Sequence, residues 1–383
     1  MRIGLVTDTY LPQVNGVTTV TRRMVETLHA HGHEAIILAP RYGDRSPGDG
    51  GNTHRVPSVP YPPYPAIRLS LPVSRSAIRF LDQARPQLIH VATEGPLGLL
   101  GRRYALRREL PLVTSFHTNF PQYSRHYGAG LLEPLVWRYL TWFHGPARLT
   151  QTPGQAVQQD LVRRGLRQAV VWGRGVDCRQ FTPTRRDETL RLQLGARPGQ
   201  PLILHVGRLA FEKNLETVVE AWRLARESLG SDVRFVVAGA GPAEKLIARR
   251  MPWALLLGFL SPDELGALYA SADLCVLPSR TETCGLVALE AMASGIPVIA
   301  ADAGGFRESV EPGRNGLLAQ PDDARDFAQA IITLARDGGR RAEMGREARK
   351  SALLRDSRIE DRELLACYAA LTGGRKVEAA CAA

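Results

Sequence analysis

Twice along the chain the sequence alternates short apolar runs with longer amphipathic stretches, and the alternation stops and restarts once. RIGLVT, EAIILAP, QLIHVAT and PLVTSFHTNF in the first half are apolar on both faces and too short for helices. PLILHVG, VRFVVAG, WALLLG, DLCVLPS and IPVIAAD repeat the pattern in the second half. Strands buried in a parallel sheet read this way. VTTVTRRMVETLHAHG, SRSAIRFLDQAR, PLGLLGRRYALRREL and ETVVEAWRLARESL lie between them and carry apolar residues at helical spacing. Repeated strand–helix units without long structureless loops predict, in each half, a doubly wound parallel sheet with helices on both faces. ARLTQT and AVVWGRG read as the last strands of the first half, and residues 129–145 and 153–165 as further helices. The proline-rich segment Arg55 to Pro72 must be extended, at an edge or in a loop.

The break falls at GVDCRQFTPTRRDE, Gly175 to Glu188, a polar run with Pro183 and no core periodicity. It divides the chain into domains at 1–178 and 179–357. Helices from Asp322 to Asp337 and Arg340 to Leu354 close the second domain. Residues 358–383 supply a final helix near Ile359 to Leu371 and a frayed end. With 383 residues, the chain is too long for one comfortable core, and 44% apolar content permits two.

The charge is uneven. Of the 49 basic residues, 22 precede residue 181 and face only 11 carboxylates, whereas the remainder carries 27 of each sign, so the net +11 sits entirely in the first half. That half is expected to meet a polyanionic partner, anionic lipid or nucleic acid. The densest cluster is Arg102, Arg103, Arg107 and Arg108. MRIGLVTD lacks the pattern of a secretory signal, and no apolar span is long enough to cross a bilayer. The five cysteines show no C-x2-C spacing, which argues against a disulfide framework or a zinc site. A cytoplasmic protein, at most peripheral on the membrane, is the expectation.

The stretch PSRTETCGLVALEAMASGIPVIAADAGG, Pro278 to Gly305, carries the chemistry. Glu290 is the single ionisable residue between Gly285 and Gly295, on a helix apolar on every side, and a buried carboxylate requires a partner. Helical side chains lean toward the N-terminus, which aims Glu290 at the loop Thr281 to Gly285, where open N–H groups and the helix dipole favour an anion. Glu282 stands in that loop. A structural reading pairs Glu290 with an arginine of a neighbouring strand. Five other loops follow strands. GRLAFEKN brings Arg208 and Lys213 to a strand end, where two cations suit a diphosphate leaving group. Gly239 to Pro242, together with Gly258 and Phe259, forms loops suited to a nucleotide base. DTYLPQVNGV places Gly16 at a helix start, and Phe116 leads to His117 at the C-terminal edge of a strand, where open α/β sheets bind ligands.

Glu282 and Glu290 resemble the E-x7-E signature of retaining nucleotide-sugar glycosyltransferases of the GT-B fold, glycosyltransferase family 4. The resemblance covers nearly the whole chain. It extends through GRLAFEKN, which is similar to the family's GR-x-x-x-EKN, and GVDCRQFTP, similar to its GVD-x-x-x-F-x-P junction. It implies two Rossmann-like domains facing a cleft, with a C-terminal helix crossing back to the first. It further implies that Glu282 meets sugar hydroxyls, that Glu290 meets the ribose, and that the backbone of Thr283, Cys284, Gly285 and Leu286 holds sugar and diphosphate. Cys284 departs from the aromatic or leucine common there. His117 resembles the family histidine that lies against the donor sugar, and the Gly16 loop the one that touches the donor phosphates.

By overall pattern the chain is similar to GDP-mannose-dependent alpha-mannosyltransferases and to sulfoquinovosyl or glucuronosyl diacylglycerol synthases. This implies a retaining hexosyltransferase without a cofactor, using GDP-mannose or a UDP-sugar as donor and a glycolipid or lipid-linked acceptor. The chain contains no D-x-D, so the expected diphosphate ligands are Arg208, Lys213 and helix termini, with no metal site. Two other classes compete. A sugar-nucleotide 2-epimerase on the same fold would form product without an acceptor. A nucleic-acid-binding protein, suggested by the basic balance, lacks interleaved aromatic and basic residues and any recognised module.

Overall fold

Six of the expected apolar runs in the first half become adjacent strands of one parallel sheet in the computed structural model, which describes residues 1–13, 15–43, 52–61, 64–70, 74–117, 133–172, 175–282 and 284–374. In chain order these strands are β1 (Arg2–Val6), β2 (Glu34–Pro40), β3 (Thr53–Val56), β4 (Ser58–Tyr61), β5 (Tyr64–Ser70), β6 (Leu88–Val91), β7 (Leu112–Ser115), β8 (Leu149–Thr152) and β9 (Ala169–Val171). The sheet is seven-stranded, in the order β3-β2-β1-β6-β7-β8-β9. Every pair in it is parallel. The strand order reverses between β1 and β6, which defines a switch point at the C-terminal edge. β4 and β5 form a separate antiparallel hairpin. The described strands of the proline-rich segment are therefore extended, as its composition requires.

The second half builds β10 (Leu202–Val206), β11 (Arg234–Ala238), β12 (Leu255–Leu256), β13 (Leu274–Leu277), β14 (Val298–Ala301) and β15 (Gly316–Ala319). They make an all-parallel six-stranded sheet in the order β12-β11-β10-β13-β14-β15. Its switch point lies between β10 and β13. Both sheets are covered on two faces, in each half by two buried clusters that lie on opposite sides of the strands.

The chain divides into two compact units, Met1–Gly173 with Glu360–Ala383, and Arg174–Ile359. Composition places the boundaries at 178/179 and 357/358. The difference at the first has a packing cause: Val176, Cys178 and Phe181 are buried in the second unit's core. Val176 also bonds with the far end of that unit, its N–H donating to Arg355 O at 2.9 Å and its carbonyl accepting from Ser357 N at 2.9 Å. The final helix, Ser357–Thr372, returns to the first unit, where Leu364, Cys367, Tyr368 and Leu371 are buried with Ile3, Leu5, Leu28 and Leu88. Cys178, Cys275 and Cys284 form no disulfide. Cys367 is disulfide-bonded, which the cysteine spacing does not indicate. Among the described residues no helix is long and apolar enough to cross a membrane.

Candidate active site

The sequence-selected residues of the second unit converge on the C-terminal edge of its sheet. Successive loops there follow β10, β11, β12 and β13. The loop after β10 holds Arg208 and Lys213, and the loop after β13 holds Glu282. Because β10 and β13 are neighbours at the switch point, the two loops meet, and Lys213 Nζ donates to Glu282 Oε1 at 2.5 Å. Both side chains are about a fifth exposed. Arg208, half exposed, pairs with Glu212, a carboxylate of its own loop that the sequence reading does not single out.

Backbone contacts lock the neighbouring loops in place. Leu209 N donates to Ala240 O at 3.0 Å, Ala243 N to Leu209 O at 2.9 Å, and Gly239 N to Gly258 O at 2.7 Å. Gly239 is required by this approach, since a Cβ there would lie 1.9 Å from Gly207 O. Gly258 has left-handed φ, and the adjacent Phe259 is 69% exposed. The turn at Gly304 and Gly305 supports the loop after β13, with Gly305 N donating to Glu282 O at 2.8 Å.

The helix Leu286–Ala293 begins at this loop. Its N-cap is Gly285, with φ 70° and no side-chain hydrogen bond to the helix end. Only glycine fits: φ is left-handed, and a Cβ would approach Phe306 Cδ1 to 2.9 Å. Cys284 and Leu286 flank it, both half-buried, and Thr283 lies outside the described residues. An uncapped helix start beside a lysine is a place for an anion.

Among the described residues, Glu290 bonds to neither an arginine nor the loop after β13. Its Oε2 accepts from Tyr269 Oη at 3.1 Å, on the helix Pro262–Ser271. Burial raises its pKa to about 7, and the Tyr269 hydrogen bond only partly offsets this. The tyrosine is a partner that the sequence pattern does not reveal, because an aromatic at helical spacing reads as core.

His205 is also missing from the sequence reading. It is buried on β10, its Nδ1 donating to Val276 O at 2.8 Å, which leaves Nε2 as a buried acceptor without a partner. Its charged neighbours are Lys213 and Glu282, and burial lowers its pKa. Strand periodicity hides it, since it occupies an inward position.

Gly16 and His117 belong to the first unit. Gly16 opens the helix Gly16–Ala30, which Asn15 caps by accepting from Thr18 N at 2.9 Å. A Cβ on Gly16 would meet nothing within 4 Å, so packing inside the chain does not demand glycine. His117 follows β7. Its Nε2 is buried without a hydrogen-bond partner, and burial lowers its pKa to about 4, so the ring is neutral at physiological pH.

Equivalent positions at the two switch points hold side chains of opposite sign. Two residues beyond β1 stands Asp8, and two residues beyond β10 stands Arg208. Asp8 accepts from Leu97 N at 2.9 Å and from Thr93 Oγ1 at 2.8 Å, so its carboxylate occupies the start of the helix Pro96–Arg107. The corresponding helix of the second unit, Leu286–Ala293, has no such cap. Among the described residues, no side chain occupies the second helix start as Asp8 occupies the first.

Comparison with known proteins places the chain in a family. Residues 14–180 match the family model described as Glycosyltransferase Family 4, and residues 186–351 the model described as Glycosyl transferases group 1. A GDP-mannose-dependent alpha-mannosyltransferase of Mycolicibacterium smegmatis is 35% identical, covering 99% of this chain and 100% of that protein. The sulfoquinovosyl transferase SQD2 of Arabidopsis thaliana is 33% identical over 88% of this chain and 67% of that protein. Among solved structures, Anabaena HepE in complex with UDP superposes with a TM-score of 0.77 at 21% identity, covering 97% of this chain and 100% of that one. With both sheets and the full-length relatives in agreement, the chain belongs to glycosyltransferase family 4 and is a glycosyltransferase of the GT-B fold.

Proposed function

We propose that the protein transfers mannose from GDP-mannose, with retention, to a glycolipid or lipid-linked acceptor at the inner, anionic face of the cell membrane. The observation that carries this reading is the Lys213–Glu282 pair beside the uncapped start of the helix Leu286–Ala293. A sugar hydroxyl bonding to Glu282 would release the Lys213 ammonium toward the diphosphate. Arg208 adds a second cation, and the N–H groups from Cys284 to Leu286 supply neutral donors. Glu290 binds the ribose hydroxyls, and Gly258 with Phe259 borders the base. The relatives' names favour GDP-mannose over a UDP-sugar.

The reaction on this reading breaks the bond between the anomeric carbon and the phosphate oxygen. The acceptor hydroxyl attacks on the same face, and its proton passes to the departing phosphate oxygen. Arg208 and Lys213 hold the leaving negative charge. His117, neutral because it is buried, lies against the sugar without adding positive charge to an oxocarbenium-like state, and the Gly16 loop meets the donor phosphates. The acceptor binds the first unit, whose net charge suits an anionic surface.

A thermal-shift panel of GDP-mannose, UDP-glucose and UDP-glucuronate, followed by product analysis, tests the proposal. GDP-mannose alone should stabilise strongly, and an alpha-mannoside should form only when a lipid acceptor is present. Stabilisation by a UDP-sugar instead would replace the donor, and product formed without acceptor would point to an epimerase.

A further inference from the structure

The first unit carries an amphipathic surface that the glycosyl-transfer machinery does not use. The helices Pro96–Arg107 and Glu133–His144 meet where Arg102 donates to Phe143 O at 3.0 Å and Trp142 O at 3.1 Å, its guanidinium lying 4.0 Å over the Trp142 ring. Beside this joint lies a shallow depression of about 340 Å³ lined by Leu99, Arg102, Arg103, Leu106, Arg107 and Trp142. Leu135, Arg138 and Trp142 follow one another at spacings of three and four on the outer face of their helix. Leu135 is 64% exposed, Trp142 53% and Leu106 42%.

The basic cluster that composition singles out is divided by the fold. Arg108 is ion-paired with Asp82 at 2.7 Å, and Arg102 is committed to the two carbonyls and the indole. Arg103 and Arg107 remain exposed, and Arg138, on the neighbouring helix, joins them. Among the described residues none of these three has a carboxylate partner. The surface therefore mixes three exposed cations with an indole and two leucines.

We infer that this surface is a bilayer-docking site, in which Trp142, Leu106 and Leu135 enter the interfacial region of an anionic membrane while Arg103, Arg107 and Arg138 meet lipid phosphates. The inference rests on the lipid-acceptor reading above and places its membrane contact on particular residues. Exposed indole and leucine between arginines fit the headgroup boundary, where apolar bodies sink and cations stay wet. A nucleic-acid backbone would use the arginines but has no use for Leu106 and Leu135. The Arg102 guanidinium stacks on the indole, which stays half exposed beside the depression.

The test is co-sedimentation of the full chain with phosphatidylglycerol–phosphatidylcholine vesicles and with pure phosphatidylcholine vesicles, in parallel with quenching by brominated lipid. Wild type should sediment with the anionic vesicles, and part of its fluorescence should be quenched. Trp142→Phe should abolish the quenching while the other four of the five tryptophans report an intact fold. Trp142→Ala with Leu106→Ser should lower partitioning at least about tenfold. Arg103→Gln with Arg107→Gln should remove the preference for anionic over neutral vesicles. Equal sedimentation with both vesicle types, quenching unchanged in Trp142→Phe, or binding to RNA but not to vesicles would overturn the inference. Donor-induced thermal shift in the same samples separates the two questions: vesicle binding without a GDP-mannose shift would sink the donor assignment alone.

Discussion

Glu290 shows how one residue ties stability to ligand binding. Its folded pKa rises from an ordinary 4.5 to about 7 through burial. The folded state therefore holds this proton more tightly than the unfolded state, and the carboxyl begins to destabilise the fold as pH rises above about 4.5. The penalty grows until about pH 7 and is constant beyond it. Glu290→Gln keeps an acceptor for Tyr269 and removes the charge. Its midpoint should match wild type near pH 4 and exceed it above pH 7, by roughly 2–4 °C for each kcal/mol relieved. Thermal unfolding over a pH series measures this, and a constant difference across the series would refute it. The same substitution should weaken GDP in calorimetry if Glu290 holds the ribose. Arg208 and Lys213 should behave differently. Each alanine variant should lose about two orders of magnitude or more in kcat with a much smaller loss of affinity for the intact donor, because charge develops on the leaving group only as the bond breaks. Loss confined to KM would contradict the leaving-group role.

Elements are held together by polar chains as well as by apolar cores. Tyr368 of the final helix lies 2.5 Å from His90 Nδ1, His90 Nε2 is 2.7 Å from Ser115 Oγ, and Ser115 Oγ donates to Gln151 Oε1 at 3.2 Å. The Ser115 proton is committed to Gln151, so His90 donates through Nε2 and accepts from Tyr368 through Nδ1. The chain runs in one direction from the final helix through β6, β7 and β8, with His90 neutral because burial lowers its pKa to about 3. Tyr368→Phe leaves a buried acceptor unpaired and should cost about 1–3 kcal/mol in urea unfolding. A neutral effect would show that the helix is held by its leucines alone. Apolar periodicity exposes the strands and the amphipathic helices of both units, and the E-x7-E and GR-x-x-x-EKN strings expose the donor loops. Their partners are less visible. Glu212, Tyr269 and His205 act through contacts that tertiary packing creates, and each looks like an ordinary surface or core residue in sequence. β15 escapes for a different reason: Gly316–Ala319 is four residues at a sheet edge, too short to show a period. The inversion from Asp8 to Arg208 emerges only when the two sheets supply a common frame.

The whole molecule is two cores on an interrupted chain. One unit is continuous, whereas the other is completed by residues from Glu360 onward, after the continuous unit has been traversed. Leu364, Tyr368 and Leu371 fill the first unit's core beside β1 and β6, yet no residue of the final helix beyond Ile359 belongs to the second unit. Damage to that helix should therefore be felt in one core only. Domains with separate cores unfold as separate units unless their interface couples them strongly. A Tyr368→Ala variant opens a cavity and removes the bond to His90, which should lower the first unit's transition by about 3–5 kcal/mol, the range for losing a buried aromatic. The nucleotide, which on the proposed reading makes most of its contacts with the loops after β10 and β13, stabilises chiefly the second unit by mass action. Scanning calorimetry with and without GDP separates the two effects. Wild type should show one GDP-sensitive component, and Tyr368→Ala should shift the other downward while leaving the GDP increment unchanged. A variant that loses the GDP increment together with the first transition would mean that the second unit cannot keep its donor loops ordered alone, and that the returning helix stabilises the donor site as well as the core it enters.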